Sequence, residues 1–381
     1  MGPRSRGAAA VAMMLVAVAC GRRLPPGWAY VTRVTPTSAT VVWTGVTEAL
    51  ECRGPDGRRL QLSSTAGRRG IRIAAVAGLL PASTYVCRID AGARPLRVRF
   101  TTAPTESAAF TFAAVGDTGD GSAAAASLAR RILAGRPAFL VHLGDIGYPG
   151  GTAPQYAAEF FRPYRRLLRR VPLMPTPGNH DLRPRSVYRD LFSPAADGEN
   201  SAGPHYSFDW GAAHLISVSS PEFARDAAPG AEWLGTNLAA AARPWRIVFL
   251  HEPPYSAGTK FTVAGLRGVL EPILERGRTD VVLTGHVHNY ERSVPACAYA
   301  ADARTLHVIS GGGGANLDPA ARQANFARVI SATHYVRVRV AADHLDIRAV
   351  DVSGHVLDHA RRERTGDVAC VSSGWPPARD R

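Results

Sequence analysis

The sequence predicts two domains in series, a small all-β sandwich and then an α/β layered domain in which a β-sandwich is flanked by helices. The chain has 381 residues, 46% hydrophobic and 20% charged, which suits a globular protein with room for two cores. Residues 25–103 read as short strands broken by turn signals, with almost no helical periodicity. From Phe110 onward, apolar runs alternate with helical stretches, the pattern of strands and helices stacked in layers.

The first twenty residues, "MGPRSRGAAAVAMMLVAVAC", place two arginines before an uncharged apolar stretch. That fits a secretory signal over residues 1–20 and is too short to span a bilayer as a mature helix. "AVA" before Cys20 suits ordinary cleavage, while "AVAC" partly matches the bacterial lipoprotein box but lacks its leucine. Two outcomes stay open: an exported periplasmic or secreted protein, or a lipoprotein tethered to a membrane through Cys20. Beyond Cys20 the cysteines are Cys52, Cys87, Cys297 and Cys370, an even number for an oxidising compartment. Cys52 with Cys87 and Cys297 with Cys370 is the preferred pairing among three connectivities, free buried thiols being the alternative. The net charge of +14 comes almost wholly from arginine, Lys260 being the only lysine. No basic run is interleaved with aromatics and no recognition helix is visible, so nucleic acid is not expected as a partner, although the positive field favours anionic substrates.

In the first domain the strands are "ATVVWTG", "RRLQLSS", "RIAAVAG", "TYVCRID" and "LRVRFTT", with Trp43 in the core. "GLLPASTYVCRI" resembles the corner before the sixth strand of fibronectin type III domains, which makes Tyr85 the tyrosine whose hydroxyl ties the corner to nearby backbone. Nothing in this domain reads as catalytic.

In the second domain "FTFAAVGD", "SLARRILAG", "AFLVHLGD" and "YAAEFFRPYRRLLRR" alternate strand and helix, so functional residues are expected at the carboxyl ends of the strands. "HYVRVRVAADHLDIRAVDVSGHVLDH" alternates strongly and closes the domain with antiparallel strands. Each apolar run in between ends on metal-ligand chemistry: "VGDTGDG" on Asp117, "LGDIGY" on Asp145 and Tyr148, "PGNHD" on Asn179 and His180, "VFLHEPP" on His251, and "LTGHVH" on His286 and His288. In an extended segment His286 and His288 point the same way, with only Val287 on the other face. A glycine precedes Asp117, Asp145, Asn179 and His286, allowing sharp turns or close backbone approach around a compact centre.

This set resembles the metallophosphoesterase superfamily and, within it, the purple acid phosphatases. The likeness covers residues 108–360, with 361–381 as a tail, and many exported members carry a similar fibronectin-like domain in front. The resemblance implies that Asp117, Tyr148 and His288 hold one metal, that Asn179, His251 and His286 hold another, and that Asp145 bridges them. Carboxylates, a phenolate and imidazoles suit hard or borderline ions, and Tyr148 implies Fe(III) in the first site, with Fe(II), Zn(II) or Mn(II) in the second. Two cations roughly 3.5 to 4 Å apart clamp a phosphoryl oxygen and acidify a bound water.

In the family the histidine matching His180 binds substrate phosphate and protonates the leaving oxygen. Asp181 either orients it or is a solvated or capping aspartate. The prolines after His251 stiffen its loop, and Glu252 reads as a bystander. His142 reads as a buried strand histidine with a hydrogen-bond partner. Asn289 and Tyr290 match the family's text after the histidine pair, and Glu291 and Arg292 read as a supporting ion pair. The "SGGGG" run at 310–314 lacks P-loop spacing and reads as a tight turn near the metals. Relatives often carry a histidine where Lys260 stands, so Lys260 is expected to anchor phosphate rather than donate a proton. The expected activity is hydrolysis of phosphorylated small molecules, phosphate monoesters first, by a metal-activated water. The rivals are a phosphodiesterase or nucleotidase on the same centre, and a non-enzymatic surface or adhesion protein that keeps the fold.

Overall fold

Strict alternation builds one sheet of the N-terminal sandwich. Along Thr84–Ile89 and Leu96–Thr101 every second residue is buried, which turns Tyr85, Cys87, Ile89, Val98 and Phe100 inward. These strands pair with Ala49–Arg53 and Arg59–Ser63 in a four-stranded sheet. It faces a second sheet built on Ala29–Thr32, Ser38–Thr44 and Ile71–Ala77. A computed structural model describes residues 24–90, 95–183, 185–196, 201–202, 204–258, 265–300, 304–321 and 323–364. Cys20, Lys260 and Cys370 lie outside them. Cys52 and Cys87 stand opposite each other in register and form a buried disulfide, as expected. Cys297 is also disulfide-bonded, to a partner outside the described residues. The Tyr85 hydroxyl accepts a hydrogen bond from the Leu80 amide at 2.8 Å, the anticipated corner.

Ser38–Thr44 is buried on both faces, because it is sandwiched between two cores. Ala39, Val41 and Trp43 fill the sandwich, while Val42 joins Trp28, Tyr30 and Phe161 in a cluster shared with the second domain. There Trp28 stacks on Phe161 with ring centroids 3.8 Å apart, and the Tyr30 hydroxyl donates to the Leu191 carbonyl.

The second domain is a sandwich of a six-stranded and an eight-stranded sheet. In the first, Leu173–Pro175, Leu140–His142 and Phe110–Val115 run parallel, and His334–Val340, His344–Asp351 and Val356–Glu363 continue it as an antiparallel meander. The last strand runs past residue 360, where the domain was expected to end. In the second, Ala213–Ser217, Trp245–Phe249, Val281–Thr284 and Leu306–Ser310 form the parallel centre. Phe112, Phe139, Val141, Phe249, Leu283 and Val336 interdigitate between the sheets. Helices Ala123–Ala134 and Arg162–Leu168 cover the outer face of the first sheet, and Ala227–Ala240 and Leu266–Arg276 that of the second. Among the described residues no helix is long and apolar enough to cross a membrane.

Tyr85→Phe leaves the Leu80 amide without its acceptor and is expected to cost about 1–2 kcal/mol. Denaturant unfolding of the N-terminal domain should then show an earlier midpoint. An unchanged midpoint would mean that packing alone holds the corner.

Candidate metal centre

The parallel strands of both sheets end at one edge of the sandwich, and every expected ligand lies just beyond such an end. Asp117 follows Phe110–Val115, Asp145 and Tyr148 follow Leu140–His142, and Asn179 follows Leu173–Pro175. From the opposite sheet His251 follows Trp245–Phe249, and His286 and His288 follow Val281–Thr284. Asp117, Asp145 and His286 have left-handed backbones, with φ of 61°, 54° and 70°. Each such non-glycine residue costs roughly 1–2 kcal/mol, so the surrounding packing must hold it there. The glycines act by close approach: a Cβ on Gly285 would lie 2.7 Å from Asp117 Oδ2, and one on Gly178 would fall onto the Asp145 carboxylate.

The histidine pair reaches the centre by a different route from the one expected. Residues 285–289 are not extended, since Val287 N bonds to Gly285 O and Asn289 N to Val287 O, both at 2.8 Å, in two successive tight turns. His286 and His288 still face the centre while Val287 is buried behind them. Asn179 and His180 likewise sit in a turn.

The side chains gather in two groups that share Asp145. In one, the Tyr148 hydroxyl lies 3.0 Å from Asp117 Oδ1, 3.0 Å from Asp145 Oδ2 and 3.2 Å from His288 Nε2. In the other, Asn179 Oδ1 lies 3.1 Å from His251 Nε2 and 3.2 Å from His286 Nδ1, and His251 Nε2 lies 3.4 Å from Asp145 Oδ2. Asp117, Asp145 and His251 are all buried, with ligand atoms within 4.8 Å of one another.

The hydrogen bonds around this cluster fit cations. His251 Nδ1 donates to the Leu143 carbonyl and His288 Nδ1 to the Asn316 carbonyl, each at 2.8 Å. In the neutral imidazoles the Nε2 lone pairs then face the oxygens of Asn179 and Asp145 on one side and of Asp117 on the other. Acceptors converging on acceptors repel unless positive charge lies between them, and this backbone-fixed tautomer is the usual one for metal-binding histidine. Among the described residues neither Asp117 nor Asp145 pairs with lysine or arginine. Without metal, burial opposes charge on His251, yet Asp145 and Asp117 lift its pKa well above the imidazole range. Burial and the same two carboxylates push the Tyr148 phenol up. Cations would reverse both tendencies by neutralising the carboxylates. The donor set of two carboxylates, a phenol, an amide and three imidazoles fits a pair of hard or borderline ions.

His180 stands at the open side. Its Nδ1 donates to the Pro149 carbonyl at 2.7 Å, its amide donates to Asp145 Oδ1 at 3.0 Å, and Nε2 lies 4.0 Å from Asp145 Oδ2. Asp181 neither orients this ring nor sits in solvent. It is fully buried and accepts from the amides of Ile146, Gly147 and Gly178 and from the Tyr156 hydroxyl, because the turn carrying Asp145 needs an internal acceptor. Burial, then the charge on Asp145, raises its pKa to about 7. Glu291 and Arg292 do not pair with each other, since neighbours on a strand face opposite ways. Arg292 binds Asp358 at 2.6 Å, and Glu291 accepts from the Ala257 amide at 2.6 Å.

Glu252 keeps out of the ligand set, yet it is more than a bystander, because it accepts from the Ser220 hydroxyl, whose oxygen receives the amides of His251 and Glu252. His142 is buried, with Nε2 2.8 Å from the Thr118 hydroxyl, and burial lowers its pKa to about 3. The glycine run passes close behind Asp117, whose carbonyl accepts from Ala315 N at 3.2 Å. Sequence reasoning missed Asp318, whose Oδ2 accepts from the His288 amide at 2.8 Å. No motif marks it, because the contact joins segments thirty residues apart.

Residues 110–290, the stretch that delivers all seven candidate ligands and His180, match the calcineurin-like phosphoesterase family. The chain carries a calcineurin-like phosphoesterase domain. Purple acid phosphatase 22 of Arabidopsis thaliana is 30% identical over 53% of this chain and 50% of that relative. Purple acid phosphatase 21 of the same plant is 30% identical over 45% of this chain and 42% of its own length. The chain thus spans about half the length of the curated relatives it matches. Among solved structures, a purple acid phosphatase from yellow lupin (Lupinus luteus) seeds shares the fold at a TM-score of 0.76 and 19% identity, covering 89% of this chain and 74% of that one. The phosphoesterase domain thus keeps the two-sheet architecture at low sequence identity.

Gly178→Ala is expected to displace the Asp145 carboxylate and to lower metal content and turnover at least tenfold, a loss of about 1.4 kcal/mol or more. Gly268→Ala, in open space on an exposed helix, should leave both unchanged and raise stability slightly. Equal metal content in the two variants would contradict the role given to Gly178.

Proposed function

We propose that this chain is an exported acid phosphatase that hydrolyses phosphate monoesters at a binuclear metal centre. The observation that carries the reading is the arrangement of Asp117, Tyr148 and His288 on one side of Asp145 and of Asn179, His251 and His286 on the other. In this proposal each group would hold one ion, with Asp145 shared between the two. Bound cations would supply Lewis-acid stabilisation and acidify the attacking water. The protein holds the ligands rigid, with backbone carbonyls fixing the His251 and His288 tautomers and Asp181 bracing the Asp145 turn. His180, with Nδ1 tied to Pro149, presents Nε2 on the open side, where it would protonate the leaving oxygen. Lys260 would anchor the phosphate as a compact cation. Tyr148 favours Fe(III) in its own site, with Fe(II), Zn(II) or Mn(II) in the other. The buried Cys52–Cys87 disulfide supports an oxidising compartment, and hence export as a secreted, periplasmic or Cys20-tethered protein.

Metal analysis with a visible spectrum tests the centre. About two metals per chain are expected, with a tyrosinate-to-iron absorption that vanishes in Tyr148→Phe while some hydrolysis persists. His286→Ala and His288→Ala should each lose a different ion. A colourless protein holding zinc alone would remove the iron assignment, and full retention of both metals in either alanine variant would remove that ligand. Turnover of p-nitrophenyl phosphate above that of its bis ester separates monoesterase from diesterase.

Lys260→Ala should raise KM for monoesters several-fold, by about 1 kcal/mol of lost binding, with metal content intact. Lys260→His should change the pH profile. Unchanged kinetics in both variants would leave His180 as the sole non-ligand group proposed at the phosphate.

A further inference from the structure

A second cationic site lies at the far end of the catalytic domain. At the amino-terminal end of Phe110–Val115, opposite to Asp117, a cavity of about 470 Å³ opens between the two domains. Thr101 lines it from the first domain, and Thr111, Arg136, Arg170, Trp210 and Arg337 from the second. Among the described residues no carboxylate lines it. None of the three guanidinium groups has a hydrogen bond or ion pair within the described structure, whereas Arg69, Arg243 and Arg292 elsewhere each bind an aspartate.

Arg136 and Arg170 are exposed, and Arg337 is half-buried. Its Nε is shut off from solvent and has no partner. An N–H shut off from water without an acceptor costs stability, a cost that Arg169, Arg246 and Arg362 share at Nε, but only Arg337 combines it with a place in this cavity. Arg337 also stands directly opposite Arg348 across an antiparallel pair, a like-charge arrangement that costs stability unless an anion offsets it. The carbonyl end of helix Ala123–Ala134 reaches the cavity at Gly135, but a helix terminus carries only about half a charge against three guanidinium groups.

We propose that this cavity is a second anion site, which takes a phosphoryl dianion through Arg337, Arg170 and Arg136. The guanidinium fork matches paired phosphoryl oxygens, and Thr111 adds a hydroxyl donor. The choice of phosphoryl over other anions rests on the phosphatase reading, whereas the anion site itself does not. The volume exceeds that of one phosphate ion and falls within the range of small-molecule sites, leaving room beside Phe110 and Trp210 for an organic substituent. The dianion is therefore either inorganic phosphate or the head of a small phosphate ester.

Equilibrium binding to the metal-loaded full chain tests the site, with labelled inorganic phosphate and phenylphosphonate, whose C–P bond resists hydrolysis, as probes. Wild type is expected to bind one equivalent of phosphate beyond that at the metal centre, and Arg337→Gln to bind this equivalent more weakly, with metal content and kcat/KM unchanged. Each guanidinium removed should weaken that equivalent about tenfold. Arg136→Gln with Arg170→Gln, both on exposed side chains, gives the same reading if Arg337→Gln does not fold. Tighter binding of phenylphosphonate at the arginine-dependent site would identify an organic ester as the ligand, and equal or weaker binding inorganic phosphate. An additional equivalent absent from wild type, or bound with the same affinity by wild type and variants, would overturn the proposal. If the metal centre proved inactive, the arginine-dependent equivalent would remain, so the two failures are distinct.

Discussion

The buried carboxylate of Asp145 is the constraint around which the second domain is arranged. Its side chain is almost wholly out of water, in a left-handed turn, with no lysine or arginine beside it among the described residues. Burying a carboxylate costs several kcal/mol after relaxation unless its oxygens find partners. Oδ1 is met by the His180 amide, and Oδ2 is shared between the Tyr148 hydroxyl and His251. The next two amides of the turn go to Asp181, itself buried, with its pKa raised by that burial and then by the charge on Asp145.

Strain and close packing hold that arrangement together. Asp117, Asp145 and His286 pay for left-handed backbones at strand ends, and the compensation lies in the two sheets that lock the strands leading to them. Because the sheets approach from opposite sides, carboxylates arrive from one and histidines from the other. The glycines beside them keep the intervening distance short enough for the side chains to meet.

The N-terminal domain is mechanically continuous with this centre. Trp28 stacks on Phe161, two residues along the same helical segment from Glu159, whose carboxylate accepts from the Tyr148 amide at 3.1 Å. Packing at the domain junction therefore braces the loop that carries the phenol. The arginine-lined cavity opens at another part of the same junction, so an anion there would touch both domains.

Local pattern determined the element types, the layered fold class, the tyrosine corner and the order of metal-binding residue types at strand ends, because alternation and turn chemistry act over a few residues. The set Asp117, Asp145, Asn179, His251, His286 was legible since each residue closes an apolar run beside a glycine or proline. Only the tertiary structure decided how those ends meet. It replaced the extended histidine pair with two tight turns, set Asp181 on the Ile146 and Gly147 amides rather than on the His180 ring or in solvent, and gave Arg292 to Asp358 rather than Glu291. It also brought Asp318 to His288 and gathered Arg136, Arg170 and Arg337. These pairings join residues far apart in the chain, and which partner a buried polar group finds depends on packing between sheets, which leaves no periodic trace in sequence.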